Sequence, residues 1–234
     1  MNNLLQLLDV NTIFFTVLNY PMSYVEFFGT LFNIACVYLV ARKNIWTWPT
    51  GIVAVALFAV LFYQLNLYAD MFEQVFYIIT GFWGWYAWSI AKKPKDETEE
   101  IEVKRNSPMA NIAWITGILM LTITGTWAMS RVHVWLPALF PAPASLPLLD
   151  VGTTIMSFAA QILLIQKRLE NWILWIIVDV IAIGLYWYKG VMLVSILYMI
   201  FLVLATMGLI NWYKTYRRET NEKGTRDREV LPAA

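Results

Sequence analysis

One cysteine and one histidine among 234 residues leave no disulfide framework and no ligand set for a metal, so a disulfide-stapled secreted fold and metal chemistry are both disfavoured. Charge is scarce as well. Only 14% of residues are charged and the net charge is +1, so nothing like a basic nucleic-acid surface is present. The chain has no GxxxxGK[ST] phosphate loop, no HExxH and no GxSxG, which argues against ATP-driven work and against an intramembrane hydrolase; the lone His133 lies in a loop. Residues 190–213 contain no lysine, so the Schiff base of a retinal-binding seven-helix pump has no anchor. The N-terminus lacks a basic region and a small-residue cleavage site, and residues 1–22 read as a short interfacial or poorly ordered lead-in.

Apolar surface is what the chain has in abundance: 59% hydrophobic residues, 16% aromatic, 12 tryptophans and a mean hydropathy of +0.58. Crossing about 30 Å of hydrocarbon takes roughly 20 mainly apolar residues. Seven segments meet that demand, at about 23–41, 46–63, 68–91, 110–130, 149–166, 171–188 and 190–213. The expected fold is therefore an all-α membrane protein of seven transmembrane helices. Residues 92–109, rich in charge and punctuated by proline, form a cytoplasmic loop, and 214–234 a cytoplasmic tail. Lysine and arginine set the orientation: with this helix count every one of the 17 except Arg131 and Lys189 falls on one side. That places the N-terminus outside and the C-terminus in the cytoplasm.

Residues 26–88 and 150–212 repeat one pattern. At an offset of 124, Glu26 pairs with Asp150, Lys43 with Lys167, Gly84 with Gly208 and Trp88 with Trp212. A three-residue shift in the middle also brings Asn44 onto Asn171 and Trp48 onto Trp175. Each copy holds three helices, 23–91 and 149–213, and the fourth helix, 110–130, returns the chain so that the copies run parallel. This three-plus-one-plus-three arrangement is a transporter topology, with a substrate site expected near the midplane between the copies.

Polar residues inside apolar helices mark the candidate site. Asn171, Trp175 and Asp179 are spaced i, i+4, i+8 and fall on one stripe of the sixth helix. Asp179 lies about 12 Å along the axis from Asn171, near mid-bilayer. A carboxylate there costs about 2.5–3.5 kcal/mol unless it faces a polar cavity or a partner; an interhelical hydrogen bond that merely holds the bundle is the competing account. Trp85, Trp88, Trp114, Trp135 and Trp212 sit near helix ends and read as interfacial belts. Trp175, a turn inside, offers its face to a planar, positively charged ring. In the third helix Glu73, Tyr77 and Thr80 make a second polar stripe flanked by Gln74 and Gly81; their hydroxyls and amides suit a sugar. Gln161 and Tyr198 supply further polar groups, whereas Thr154, Ser157 and Ser195 read as helix-packing residues.

The segments NIWTWPTGIVAVALFAVLFYQ at 44–64, YADMFEQVFYIITGFWGWYAW at 68–88 and ENWILWIIVD at 170–179 carry a resemblance, over nearly the whole chain, to the PnuC family of bacterial nicotinamide riboside transporters. The resemblance implies a SWEET-like fold, a homotrimer with one pathway per protomer in the bacterial inner membrane, and facilitated diffusion of nicotinamide riboside without a cofactor, trapped inside by a cytoplasmic riboside kinase. It makes Trp172 and Trp175 the family's Trp-x-x-Trp pair. Gly81 departs from the family pattern, in which an asparagine often follows the third-helix glutamine by seven residues. Similar proteins carry thiamine or riboflavin, so another B vitamin, or a receptor using the same pocket, stays open. Together these features make a pyridinium nucleoside the expected cargo: its ring on Trp172 or Trp175, its charge near Asp179 or Glu73, its ribose among Gln74, Tyr77, Gln161, Asn171 and Tyr198. Trp48 is the first-copy candidate.

Overall fold

The computed structural model describes residues 6–17, 19–65, 68–90, 102–138, 143–144, 146–188, 190 and 192–230. A short hairpin, β1 (Ile13–Val17) and β2 (Tyr20–Ser23), is followed by eight helices: α1 (Tyr24–Ala41), α2 (Thr47–Gln64), α3 (Tyr68–Ile90), α4 (Pro108–Met129), the single turn α5 (Val132–Trp135), α6 (Pro147–Ile165), α7 (Glu170–Tyr188) and α8 (Met192–Val230). Six of them, α1, α2, α4, α6, α7 and α8, are long and apolar enough to cross a membrane among the described residues. The seventh long helix, α3, has 23 residues but carries Asp70 in its first turn and Glu73 one turn on. The chain divides into two compact units, residues 1–101 and 102–234, and α4 falls in the second with α6 to α8.

Local chemistry explains most of the helix ends. Ser23 caps α1 by accepting from the Glu26 N–H, in a Ser-x-x-Glu sequence. Ser107 caps α4 in the same way, with Pro108 in its first turn. Within unit 1, the Thr47 hydroxyl at the start of α2 donates to the Cys36 carbonyl of α1. In unit 2, Gly125 of α4 comes so close to Val151 of α6 that a Cβ there would meet it at 2.7 Å.

The lead-in has structure of its own. Ile13–Val17 is a run of β-branched and aromatic residues, too short to cross a bilayer but suited to a strand. It pairs antiparallel with Tyr20–Ser23, and Asn19 in the turn adopts a φ of 64°. Gln64, the last residue of α2, ties the preceding chain down by accepting from Val10 N–H and donating to the Leu8 carbonyl. The Tyr20 hydroxyl donates to Glu26 at 2.6 Å; partial burial and that carboxylate push its pKa up to about 12.

The other difference lies at the C-terminus. The seventh segment does not stop at residue 213 but continues as helix to Val230. A 39-residue helix is about 58 Å long, well beyond the hydrocarbon thickness. Much of the charged tail is thus a helical continuation of α8. Lys92, Lys93, Lys95 and Lys189, used in the orientation argument, lie outside the described residues, as do residues 91–101 of the charged loop.

The α1–α2 turn of unit 1 and the α6–α7 turn of unit 2 close in the same strained way. Lys43 and Lys167 have φ of 58° and 59°. Lys43 N–H bonds the Val40 carbonyl and Asn44 N–H the Leu39 carbonyl; Lys167 and Arg168 do the same to Leu164 and Leu163, all at 2.9 Å. This is the Schellman pattern, in which the left-handed residue is usually glycine. Replacing either lysine with glycine is expected to raise stability by about 0.5–1 kcal/mol, because the Cβ penalty of roughly 1–2 kcal/mol exceeds the extra entropy of an unfolded glycine. Thermal melts of the purified variants in detergent measure it, and a lower melting temperature for both variants contradicts the strain argument.

Candidate functional site

Two tryptophans in each unit occupy the core. Trp48 is 4% exposed, lies edge-on to Trp88 at 5.1 Å and 88°, and covers Gly84; Trp172 is 1% exposed, lies edge-on to Trp212 at 5.7 Å and 83°, and covers Gly208. The indole N–H of both Trp48 and Trp172 is buried with no acceptor among the described residues. These contacts correct the sequence alignment of the copies. Trp48 corresponds to Trp172, not to Trp175, and the offset of 124 holds without any three-residue shift. Asn44 then matches Arg168, and Thr47 matches Asn171; the Thr47 N–H at the start of α2 and the Asn171 N–H at the start of α7 each bond the carbonyl of the residue three before. Trp88 and Trp212, assigned to an interfacial belt on sequence, are 1% and 0% exposed and belong to the same packing.

The stripe on α7 has a graded environment. Its buried residues are Asn171, Trp172, Val178, Asp179, Ala182 and Leu185, which share one face at helical spacing. The Asn171 amide donates to the Arg168 carbonyl, and its oxygen is buried with no partner among the described residues. Asp179 is 3% exposed, and no described residue hydrogen bonds to its carboxyl. Trp175, between them, is only half-buried and keeps accessible surface. At the offset of 124, Val55 stands where Asp179 does, so the acid belongs to one copy alone. On the neighbouring helices of unit 2, Gln161 is half-buried on α6, while Tyr198 of α8 stacks on Tyr186 of α7 at 5.5 Å and 11°. Ser195 donates to the Ile183 carbonyl at 3.0 Å, tying α8 to α7.

In unit 1 the α3 stripe is partly internal to the helix. Tyr77 donates to Glu73 at 3.4 Å, Gln74 donates to the Asp70 carbonyl at 3.3 Å, and Thr80 donates to the Phe76 carbonyl at 2.8 Å. Gly81 is a close-approach position: a Cβ there would come within 2.9 Å of Ile52 on α2. The candidates thus fall into two sets: Trp48, Glu73, Gln74 and Tyr77 in unit 1, and Gln161, Asn171, Trp172, Trp175, Asp179 and Tyr198 in unit 2. Tyr186, the stacking partner of Tyr198, carried no sequence signal beyond being one of many aromatics. The Trp–Gly–Trp sets did carry one, since both glycines and both outer tryptophans align at 124.

Six helices long and apolar enough to cross a membrane among the described residues, with Asn171 and Asp179 buried inside one of them, mark a multi-span membrane protein, and the family it matches is one of transporters. Residues 23–214 match the family model described as nicotinamide mononucleotide transporter, and the chain belongs to that family. It is similar to the nicotinamide riboside transporter PnuC of Escherichia coli (strain K12), at 29% identity covering 88% of this chain and 90% of the relative. The riboflavin/roseoflavin transporter RibM of Streptomyces davaonensis is 21% identical, covering 90% and 94%. A crystal structure of the vitamin B3 transporter PnuC superposes with a TM-score of 0.62 at 27% identity, covering 83% of each chain.

Proposed function

We propose that the chain carries nicotinamide riboside across the bacterial inner membrane by facilitated diffusion. The observation that carries this is the α7 face itself, where the half-open indole of Trp175 lies between a buried amide and a buried carboxyl, in a chain of this family. In unit 2 a pyridinium ring stacks on Trp175 and its charge is favoured by Asp179, while Gln161, Asn171 and Tyr198 meet the ribose; in unit 1 Glu73, Gln74 and Tyr77 offer the same cargo a carboxylate, an amide and a hydroxyl. Trp48 and Trp172 serve the site by seating the helices of their own units. All seven long helices span the bilayer as two parallel, SWEET-like sets of three joined by α4, with the N-terminus outside and the C-terminus in the cytoplasm. The protein works as a homotrimer with one pathway per protomer, each passing its cargo by alternating access, and a cytoplasmic riboside kinase traps the cargo.

Reconstituted protein is expected to equilibrate nicotinamide riboside across proteoliposomes without ATP or an ion gradient. Binding without uptake identifies a receptor instead, and accumulation driven by sodium or protons alone rejects facilitated diffusion. A family name that speaks of the mononucleotide makes the phosphorylated cargo a direct test. Two negative charges beside buried acids in low dielectric are unfavourable, so nicotinamide mononucleotide is expected to enter far more slowly than the riboside. Equal uptake of the two means that Asp179 and Glu73 do not face the path. The similarity to RibM keeps riboflavin as a second reading, which competition by riboflavin at equal concentration detects.

A further inference from the structure

The face of unit 2 that gathers positive charge holds a cavity unrelated to the α7 stripe. It has a volume of about 300 Å³ and is lined by Glu102, Val103, Lys104, Arg105, Arg168, Tyr216, Glu219 and Thr220. Its wall is a built feature. Residues 102–106 run across the α6–α7 turn as a strap: Lys104 N–H bonds the Lys167 carbonyl and Leu169 N–H the Lys104 carbonyl, both at 2.9 Å. Val103 is 3% exposed and its N–H bonds Glu219 of α8, while Asn106 N–H bonds Glu170 at 3.0 Å. The Arg168 guanidinium donates to the Arg105 carbonyl at 2.8 Å through one nitrogen, yet its Nε is buried with no partner among the described residues.

We infer that this cavity binds a phosphate group carried on a small polar body. Lys104, Arg105 and Arg168 line it, with Lys167 beside them in the α6–α7 turn; of the carboxylates nearby, Glu102 and Glu219 line the cavity too, Glu219 and Glu170 accept backbone N–H groups of the strap, and Glu170 also pairs with Arg105 at 3.8 Å. Burial and then the charge of Lys104 lower the pKa of Lys167 against the opposing pull of Glu102, so the cations are crowded and only partly compensated. A dianion neutralises that crowding and gives the guanidinium a charge-assisted partner. The volume exceeds that of phosphate alone and suits a mononucleotide or a phospholipid headgroup. Helix packing does not require the cluster: the equivalent turn of unit 1 closes with the same hydrogen bonds but has Asn44, Ile45 and Trp46 in place of Arg168, Leu169 and Glu170.

Melting of the full-length protein in detergent tests the inference, with inorganic phosphate or nicotinamide mononucleotide compared against chloride at matched ionic strength. Nanodiscs of phosphatidylglycerol against phosphatidylcholine supply the lipid arm. Phosphate or the mononucleotide is expected to raise the melting temperature of the wild type by about 2–4 °C. Affinity is expected to be about tenfold weaker in Lys104→Gln and Arg168→Gln; Lys104 has an exposed side chain, so its variant folds even if that of Arg168 does not. A response to phosphatidylglycerol alone, lost in the same variants, assigns the phosphate to a lipid headgroup. No response to any probe, or one unchanged in both variants, overturns the site. Riboside uptake is measured in parallel, so this failure stays separate from a failure of the transport reading.

Discussion

Alanine at Gly84 or Gly208 is expected to destabilise the protein by more than any other single methyl addition to its helices. A Cβ on Gly84 would fall far inside contact with three atoms of the Trp48 ring, and one on Gly208 with the same three atoms of Trp172. Neither ring can retreat, because each is buried and edge-packed on a second buried tryptophan. Overpacking of this kind costs about 1–3 kcal/mol, and displacing the edge-to-face pair adds about 0.5–1.5 kcal/mol. Gly117 of α4 and Gly184 of α7 are the controls, since a Cβ at either meets nothing within 4 Å. Alanine there is expected to be neutral or to stabilise by up to about 1 kcal/mol through helix propensity. Detergent melts of the four variants decide it: if Gly208→Ala and Gly184→Ala melt alike, the tryptophans are not seated as described.

The long helices were legible because about 20 apolar residues in a row are nearly a statement of bilayer thickness: six of the seven expected segments match a helix to within a few residues, and the seventh covers the first part of a longer one. The missed features obey other rules. The β1–β2 hairpin is too short for a hydropathy window, and the extension of α8 through Lys214 to Val230 is charged, so composition alone reads it as a tail. The strap at 102–106 depends on pairing with a turn more than 60 residues away. In the site, Glu73 and Asp179 stood out since an acid inside an apolar helix is expensive wherever it points. Ranking the tryptophans required tertiary contacts. Helical spacing places Asn171, Trp175 and Asp179 on one stripe, but only Gly208 and Trp212 reveal that Trp172 is the ring with both neighbours supplied. The spurious shift that joined Trp48 to Trp175 arose from matching Asn-x-x-x-Trp as letters, where the physical match is a Trp ring over a glycine.

That distinction makes Trp175 the position where substitution should cost binding rather than stability. It shares the buried face of α7 with Asn171 and Asp179, yet it retains accessible surface while its neighbours on that face are closed. Trp175→Ala is expected to weaken nicotinamide riboside binding by roughly 1–3 kcal/mol, the scale of base–aromatic stacking, and Trp175→Phe to keep part of the affinity. Trp172→Ala is expected to behave oppositely, lowering the melting temperature first, since truncating a fully buried tryptophan costs about 3–5 kcal/mol. Trp135→Ala, with its ring half exposed at the single-turn helix, is expected to change neither. Calorimetry on variants verified as folded and monodisperse gives the comparison. Wild-type affinity in Trp175→Ala removes the stacking role from this residue, and a folded Trp172→Ala that has lost binding moves that role to Trp172.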